Sequence, residues 1–186
     1  NLIKLSSKAY IEGFYYKPRI DHELLEQYHE GLVCCSACLG GEVPQAILNG
    51  NIAEAERIVQ WHQSIFGEDY YLEVQRHISE LPEVGTKQFE EQELVNKEIF
   101  RIAEKFGIKV IASNDVHFVK KEDGPAHDRL ICINTGSDFN SPKRLRYTQQ
   151  EYLKSIQEMQ ELFSDHPEVI SNTLEIVDKI ETLNLD

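Results

Sequence analysis

The stretch from Lys109 to Val119, KVIASNDVHFV, constrains the fold of this chain most. It opens as a β-branched apolar run and ends in turn-forming residues, a pattern that is typical of a buried strand. Asp115 and His117 follow two residues apart, so on an extended chain both side chains point the same way. A carboxylate and an imidazole at the carboxyl end of a parallel strand commonly form a site in α/β proteins. The alternative is a strand-to-helix turn in which Asp115 caps the next helix beside a hydrogen-bonded His117.

Two earlier segments, Gly31–Ser36 and Asp69–Gln75, have the β-branched, cysteine or aromatic content of further strands. The helices predicted around these strands span residues 43–49, 52–66 and 89–106. Alternation of strands and helices predicts an α/β fold in which parallel strands are joined by right-handed crossovers. Cys38 follows the first strand and His77 follows the second, so both are predicted to lie at the same edge of the sheet as the Asp-x-His pair.

Past Phe118 the pattern changes to successive helices. One helix is predicted at 122–132, and a second is predicted to begin at Thr148 with Glu151 completing a capping box. A last helix, capped by Asp165, is predicted to run to about residue 181.

The acidic composition argues against a primary role in binding DNA. The formal net charge is −13 and the pI is about 5.0, which opposes attraction to phosphate backbones. A small basic patch at Lys143, Arg144 and Arg146 could contact DNA or balance local acidity, and we favour the second. No apolar run is long enough to span a bilayer, and no signal peptide is recognisable. Clustered cysteines indicate a reducing compartment, so we expect a cytoplasmic protein without a membrane partner.

The cysteines allow several kinds of chemistry. Cys35 and Cys38 form a C-x-x-C pair, but a structural zinc site needs a second pair, and Cys132 stands alone. A cysteine nucleophile would need a histidine beside Cys38, and either His77 or His117 could serve. Cysteine, histidine and aspartate together also suit zinc, iron or manganese.

An ordered set of motifs carries a resemblance to a known family. The chain resembles the polymerase-and-histidinol-phosphatase (PHP) domain of the alpha subunit of bacterial DNA polymerase III, a C-family replicative polymerase. The motifs are SACLGGEVPQ (36–45), YLEVQRH (71–77), IKVIASNDVHFV (108–119), AHDRLICINTG (126–136) and YLKSIQEMQELFSDHPEVISNTLEI (152–176). The N-terminus begins within an apolar pattern, and we therefore expect that an upstream part of a larger protein is missing.

The resemblance implies an incomplete, distorted (β/α)7 TIM-like barrel with parallel strands, followed by C-terminal helices. Residues 1–146 would be the later part of the barrel, and residues 147–186 a helical segment leading to the polymerase palm. By residue-by-residue matching, Cys38, Asp115 and His117 stand where the family has metal ligands, and His77 stands near the site. The family's first ligands, an H-x-H pair followed by His, Glu and His, have no counterpart in this sequence.

The resemblance also implies a function. The parent chain would be a DNA-directed DNA polymerase, a nucleotidyltransferase of DNA replication. Its PHP domain would carry a metal-dependent phosphoesterase site, which would act as a proofreading 3′-5′ exonuclease or as a pyrophosphatase. Alternatively, the domain would buttress the polymerase and dock partners such as a separate proofreading exonuclease. A stand-alone PHP-type phosphoesterase is the alternative from outside the polymerases.

The same resemblance leads to expectations for the chain by itself. The intact domain would hold a divalent metal (zinc, manganese, iron or magnesium), whereas this chain alone would bind metal weakly or not at all and lack nuclease and polymerase activity. DNA would be reached only through the parent chain. Exposed sheet edges would favour self-association.

Overall fold

A parallel sheet of short strands lies at the centre of the fold. The computed structural model describes residues 1–79, 81 and 84–182. The strands are β1 (Cys34–Cys35), β2 (Tyr70–Val74) and β3 (Val110–Ala112). They are hydrogen-bonded in the order β1-β2-β3, and both pairings are parallel. Their carboxyl ends therefore meet at one edge of the sheet, as the sequence predicts.

Helices flank the sheet and follow it. They are α1 (Leu2–Ile11), α2 (His22–Tyr28), α3 (Glu42–Leu48), α4 (Ile52–Phe66), α5 (Gly85–Phe106), α6 (Gly124–Thr135), α7 (Ile156–Leu162) and α8 (Glu168–Lys179). The predicted bounds of α4 and β3 are confirmed, whereas α5 begins at Gly85 and not at residue 89. The predicted α/β class, with parallel strands and C-terminal helices, is confirmed. Within the described part of the chain, no helix combines the length and apolar character needed to cross a membrane.

The core lies between the sheet and helices α3, α4 and α5. Ala55 and Val59 of α4 and Ile99 and Ile102 of α5 have no exposed surface. The apolar residues of the segment 89–106 predict that Leu94 also faces the core, but its exposed fraction is 51%. At about 100° per residue, Leu94 lies about 140° from Ile99, near the middle of the buried stripe, so it faces solvent.

The outer edge of β3 is covered by α8. Asn172 Nδ2 donates a 2.8 Å hydrogen bond to the Val110 carbonyl, which satisfies a backbone group that a neighbouring strand would otherwise bind. Phe163 and Val169, at the junction of α7 and α8, are fully buried in the same core as the sheet. The helical C-terminal segment is thus packed onto the sheet.

The prediction that a helix begins at Thr148 is wrong. Residues 148–154 are not helical: the backbone bends at Gln149, and Tyr152 makes a parallel bridge with Phe118. The next helix, α7, begins after Ser155, whose side chain forms a reciprocal capping box with Glu158. The backbone of Gln149 has a φ of +63°, which is incompatible with continuing a right-handed helix.

Candidate functional site

The turn after β1 holds Cys38 at the carboxyl edge of the sheet. Ser36 Oγ accepts a 2.8 Å hydrogen bond from Glu73 N, which ties the turn to β2. Ala37 has a φ of +63°, a conformation that costs a non-glycine residue free energy and persists only where the surroundings fix it. At Gly41 a Cβ atom would lie 2.4 Å from the Ser36 carbonyl oxygen, so the backbone closes tightly behind Cys38.

The loop after β3, residues 114–118 (the ligand loop), brings Asp115 and His117 together. His117 Nε2 lies 3.6 Å from Asp115 Oδ1. Asp115 has a φ of +45°, so the pair does not meet through the simple alternation of an extended strand. Aspartate tolerates this left-handed conformation better than most residues because its short side chain bonds locally.

Cys38 and Asp115 line one cavity of about 540 Å³. Both side chains are partly exposed, and Gln75 and Tyr147 complete the nearby wall. Thiolate, carboxylate and imidazole donors together suit zinc, iron or manganese. Across the described ranges, however, no three His, Cys, Asp or Glu side chains come close enough to hold a metal ion. The three predicted ligands thus lie at one edge of the sheet, and their role as metal ligands stays a prediction.

His77 lies beneath the ligand loop and is almost fully buried. Gln92 Oε1 accepts from His77 N at 2.7 Å, so the amide NH₂ of Gln92 faces His77 Nδ1 at 3.0 Å. Nδ1 therefore accepts, and the proton on Nε2 is donated to the Asn114 carbonyl at 3.1 Å. Burial lowers the pKa of His77, which matches a neutral ring. In this arrangement His77 supports the ligand loop through the backbone of Asn114.

Polar side chains at the ends of β2 and β3 form a hydrogen-bonded network beside the cavity, whose wall includes Gln75. Gln75 Nε2 donates to Glu73 Oε1 at 3.0 Å and to Ser113 Oγ at 3.2 Å. Ser113 Oγ in turn donates to the same Glu73 carboxylate. This network links the two strands directly below the candidate ligands and fixes the spacing between them.

Two aromatic residues beside His117 were missed by the sequence analysis. The ring centroids of His127, on α6, and Tyr147 lie 5.7 Å and 4.6 Å from that of His117. Burial and the neighbouring His117 lower the pKa of His127, whereas burial and the charge of Asp115 raise that of Tyr147. Neither residue has a spacing relation to the Asp-x-His pair. His127 is revealed by the packing of α6 against the ligand loop, and Tyr147 by its own contact with His117.

The basic patch is largely neutralised at Arg144. This side chain is buried and binds Asp128 through both terminal nitrogens at 2.5 and 2.7 Å. Its guanidinium also lies 4.6 Å from the centroid of the Phe139 ring. The geometry agrees with the interpretation that we favoured, in which the patch balances local acidity, because Arg144 cannot reach a DNA backbone from this position.

Comparison with known proteins agrees with the motifs. Residues 1–77 match the model of the PHP domain family. The whole chain is 42% identical to part of DNA polymerase III subunit alpha from Borreliella burgdorferi. Over 96% of the chain it is 42% identical to the protein of that name from Treponema pallidum and 40% identical to the one from Campylobacter jejuni. The chain spans about 15% of the length of each of these relatives. The chain is therefore similar along nearly its whole length to one segment of bacterial DNA polymerase III alpha subunits, and its first 77 residues match the PHP domain family.

Proposed function

We propose that this chain is part of the alpha subunit of a bacterial DNA polymerase III and thereby serves DNA-directed DNA synthesis in replication. The similarity along the whole chain to proteins of that name supports the proposal. The parallel sheet flanked by helices would be one sector of a distorted (β/α)7 barrel, and residues 147–186 would lead toward the palm. The remainder of the subunit, and through it DNA and a proofreading exonuclease, would be the partners. A cytoplasmic location follows from this role.

We propose further that Cys38, Asp115 and His117 are part of a divalent-metal site of the PHP domain. The observation that carries this proposal is their convergence: Cys38 and Asp115 line one cavity, and His117 contacts Asp115. Zinc, manganese or iron fits these donors better than magnesium, which prefers oxygen ligands. When bound, such a metal would supply Lewis-acid activation of a water molecule for hydrolysis of a phosphodiester or pyrophosphate bond.

The chain contributes its own groups to that chemistry. Asp115 lies where it can orient the His117 imidazole, and the Glu73–Gln75–Ser113 network fixes Gln75 in the wall of the cavity. The further ligands implied by the family resemblance are absent from this sequence. We therefore propose weak metal binding and no hydrolysis for the chain by itself.

A structural role for the domain is the second candidate. The first twenty residues expose a set of large apolar side chains that a neighbouring part of the subunit would cover: Leu2, Ile3, Tyr10, Ile11, Phe14, Tyr15 and Tyr16. Patches of this kind mark interaction surfaces more often than free ones. In this case the domain buttresses the polymerase, and an isolated chain self-associates through this surface.

The two candidates are separated by metal analysis of the alpha subunit that contains this chain. If the site is active, zinc, manganese or iron copurifies, and Asp115→Asn or His117→Asn lowers both the metal content and the hydrolysis of a 3′-terminal phosphodiester. The matched control, His22→Asn, changes an exposed histidine outside the cavity and should leave both unchanged. A subunit without bound metal whose hydrolysis does not depend on Asp115 or His117 would reject the metal site and favour the structural role.

A further inference from the structure

A single non-helical segment, residues 148–154 (the clamp segment), holds the ligand loop from one side. Its carbonyl groups accept hydrogen bonds from two backbone amides of the loop and from the side-chain amide of Asn114. In return, one backbone amide of the clamp segment donates to a carbonyl group of the loop. His117 N and Phe118 N donate to the Glu151 carbonyl at 2.8 and 3.3 Å, and Leu153 N donates to the Phe118 carbonyl at 3.1 Å. Asn114 Nδ2 donates to the carbonyls of Gln150 and Tyr152 at 2.8 and 2.7 Å. The position of His117 therefore depends on the conformation of the clamp segment.

The clamp segment is itself anchored by the carboxylate of Glu151. Glu151 Oε1 accepts from Thr148 N at 3.0 Å and from Thr148 Oγ1 at 2.7 Å, and both residues are buried. Ser79 Oγ donates to the Thr148 carbonyl at 2.6 Å. These bonds close a turn through Gln149, whose positive φ would otherwise be unfavourable. Without the carboxylate, the turn would lose the acceptor that fixes its shape.

The second carboxylate oxygen of Glu151 takes no part in the turn. Its exposed fraction is 1%, and its second oxygen, Oε2, has no hydrogen-bond partner among the residues that the structure describes. A buried carboxylate oxygen without a partner costs a fold free energy, and the two bonds that Oε1 accepts from Thr148 offset only part of that cost. Oε1 also lies 3.7 Å from His77 Nδ1, so the carboxylate lies between the clamp segment and the histidine that supports Asn114.

We propose that Glu151 is a positioning residue for the candidate metal ligands Asp115 and His117. Its carboxylate fixes the turn at Thr148, the turn fixes the clamp segment, and the clamp segment holds the ligand loop against His77. Groups that orient metal ligands commonly act in this way, through the ligand and not on the metal. The part of this inference that concerns metal rests on the proposed function, whereas the part that concerns the loop does not.

Amide hydrogen exchange on the 186-residue chain tests the loop directly. Glu151→Ala should raise the exchange rates of the His117 and Leu153 amides about tenfold more than it raises those of β2, because it opens the clamp locally. Glu151→Gln keeps an oxygen that can accept from Thr148, so it should restore slow exchange. The matched control, Glu161→Ala, removes an exposed carboxylate on α7 and should leave both amides unchanged.

Two results would overturn the proposal. The first is that the exchange rates of the His117 and Leu153 amides do not change in Glu151→Ala. The second is that Glu151→Ala and Glu151→Gln raise these rates equally, which would assign the effect to the negative charge of Glu151. If Glu151→Ala does not fold, Thr148→Val decides, since it removes one donor to Oε1 at nearly constant volume and should accelerate the same two amides. Unchanged exchange in that variant would also overturn the proposal.

The metal arm uses the alpha subunit that contains this chain, with Mn²⁺ as the probe. Glu151→Ala should weaken Mn²⁺ binding about 10- to 100-fold, and Glu151→Gln should recover most of that loss. Full Mn²⁺ affinity in Glu151→Ala, together with a loss in His117→Asn, would contradict positioning by Glu151. If His117→Asn has no effect either, the proposed metal site fails, and the exchange experiment still decides whether Glu151 positions the loop.

Discussion

Arg76 joins the carboxyl end of β2 to the junction of α7 and α8, and its removal should destabilise the chain. The guanidinium binds Asp165 at 2.5 and 2.8 Å and Glu93 at 2.8 Å. It also donates to the Leu162 carbonyl at 3.0 Å and lies 5.0 Å from the centroid of the buried Phe163 ring. The side chain of Arg76 is only 12% exposed, so these contacts are made largely out of water.

The expected loss in Arg76→Ala is about 2 kcal/mol. The two carboxylates are partly exposed, so solvent screening limits their combined contribution to about 1 kcal/mol. The charged hydrogen bond to the Leu162 carbonyl contributes about 1.5 kcal/mol, and the contact with the Phe163 ring contributes about 0.5 kcal/mol. Release of the ordered arginine side chain returns about 1 kcal/mol of conformational entropy.

Urea unfolding of the chain, followed by circular dichroism, measures this loss. Arg76→Lys keeps the charge but not the two-pronged geometry, so it should lose more than half of the stabilisation. Arg101→Ala is the matched control, because Arg101 also pairs with two carboxylates but is 44% exposed and lies away from the α7–α8 junction. A loss in Arg76→Ala within about 0.5 kcal/mol of that in Arg101→Ala would refute the reasoning.

Two further predictions concern the turn behind Cys38 and the dependence of stability on pH. Gly41→Ala should cost about 2 kcal/mol in urea unfolding, because its Cβ would lie 2.4 Å from the Ser36 carbonyl oxygen, whereas Gly40→Ala, whose nearest contact is at 3.8 Å, should be nearly neutral. Equal effects of the two substitutions would contradict the close approach. The hydrogen bond from Arg76 lowers the pKa of Asp165 to about 2. This pKa is below the unfolded value of about 4, so the pair stabilises the fold above pH 4. That stabilisation, about 0.5 kcal/mol after screening, should be lost between about pH 4 and pH 2. Urea unfolding across that range should show this loss, and an equal loss in Arg76→Ala would contradict the assignment to this pair.

The order of strands and helices could be predicted because the local signals were strong and agreed with the tertiary packing. The β-branched run of β3 and the apolar stripe of α4 each correspond to a buried face in the structure. Convergence of Cys38, Asp115 and His117 at one edge also followed from parallel pairing alone. The metal-ligand role of these residues remains a prediction.

The segment 148–154 could not be predicted because two similar local patterns compete there. Thr148-x-x-Glu151 and Ser155-x-x-Glu158 are both capping-box sequences, and in both the glutamate accepts from the backbone amide three residues earlier. Ser155 Oγ accepts from Glu158 N in return, whereas Thr148 Oγ1 accepts from Gln150 N. Only the second begins a helix, because the backbone of the first is bound by the ligand loop. Pairing between residues more than thirty positions apart leaves no local signal.

The central claim, that Cys38 belongs to a metal site at the carboxyl edge of the sheet, is tested most directly by cobalt substitution. The alpha subunit that contains this chain should be loaded with Co²⁺ and its near-ultraviolet absorption recorded. A thiolate bound to Co²⁺ gives a charge-transfer band, which should be present in the parent, retained in the matched control Cys34→Ser, and absent in Cys38→Ser. A band that persists in Cys38→Ser would contradict the claim, as would cobalt binding without any thiolate band in the parent.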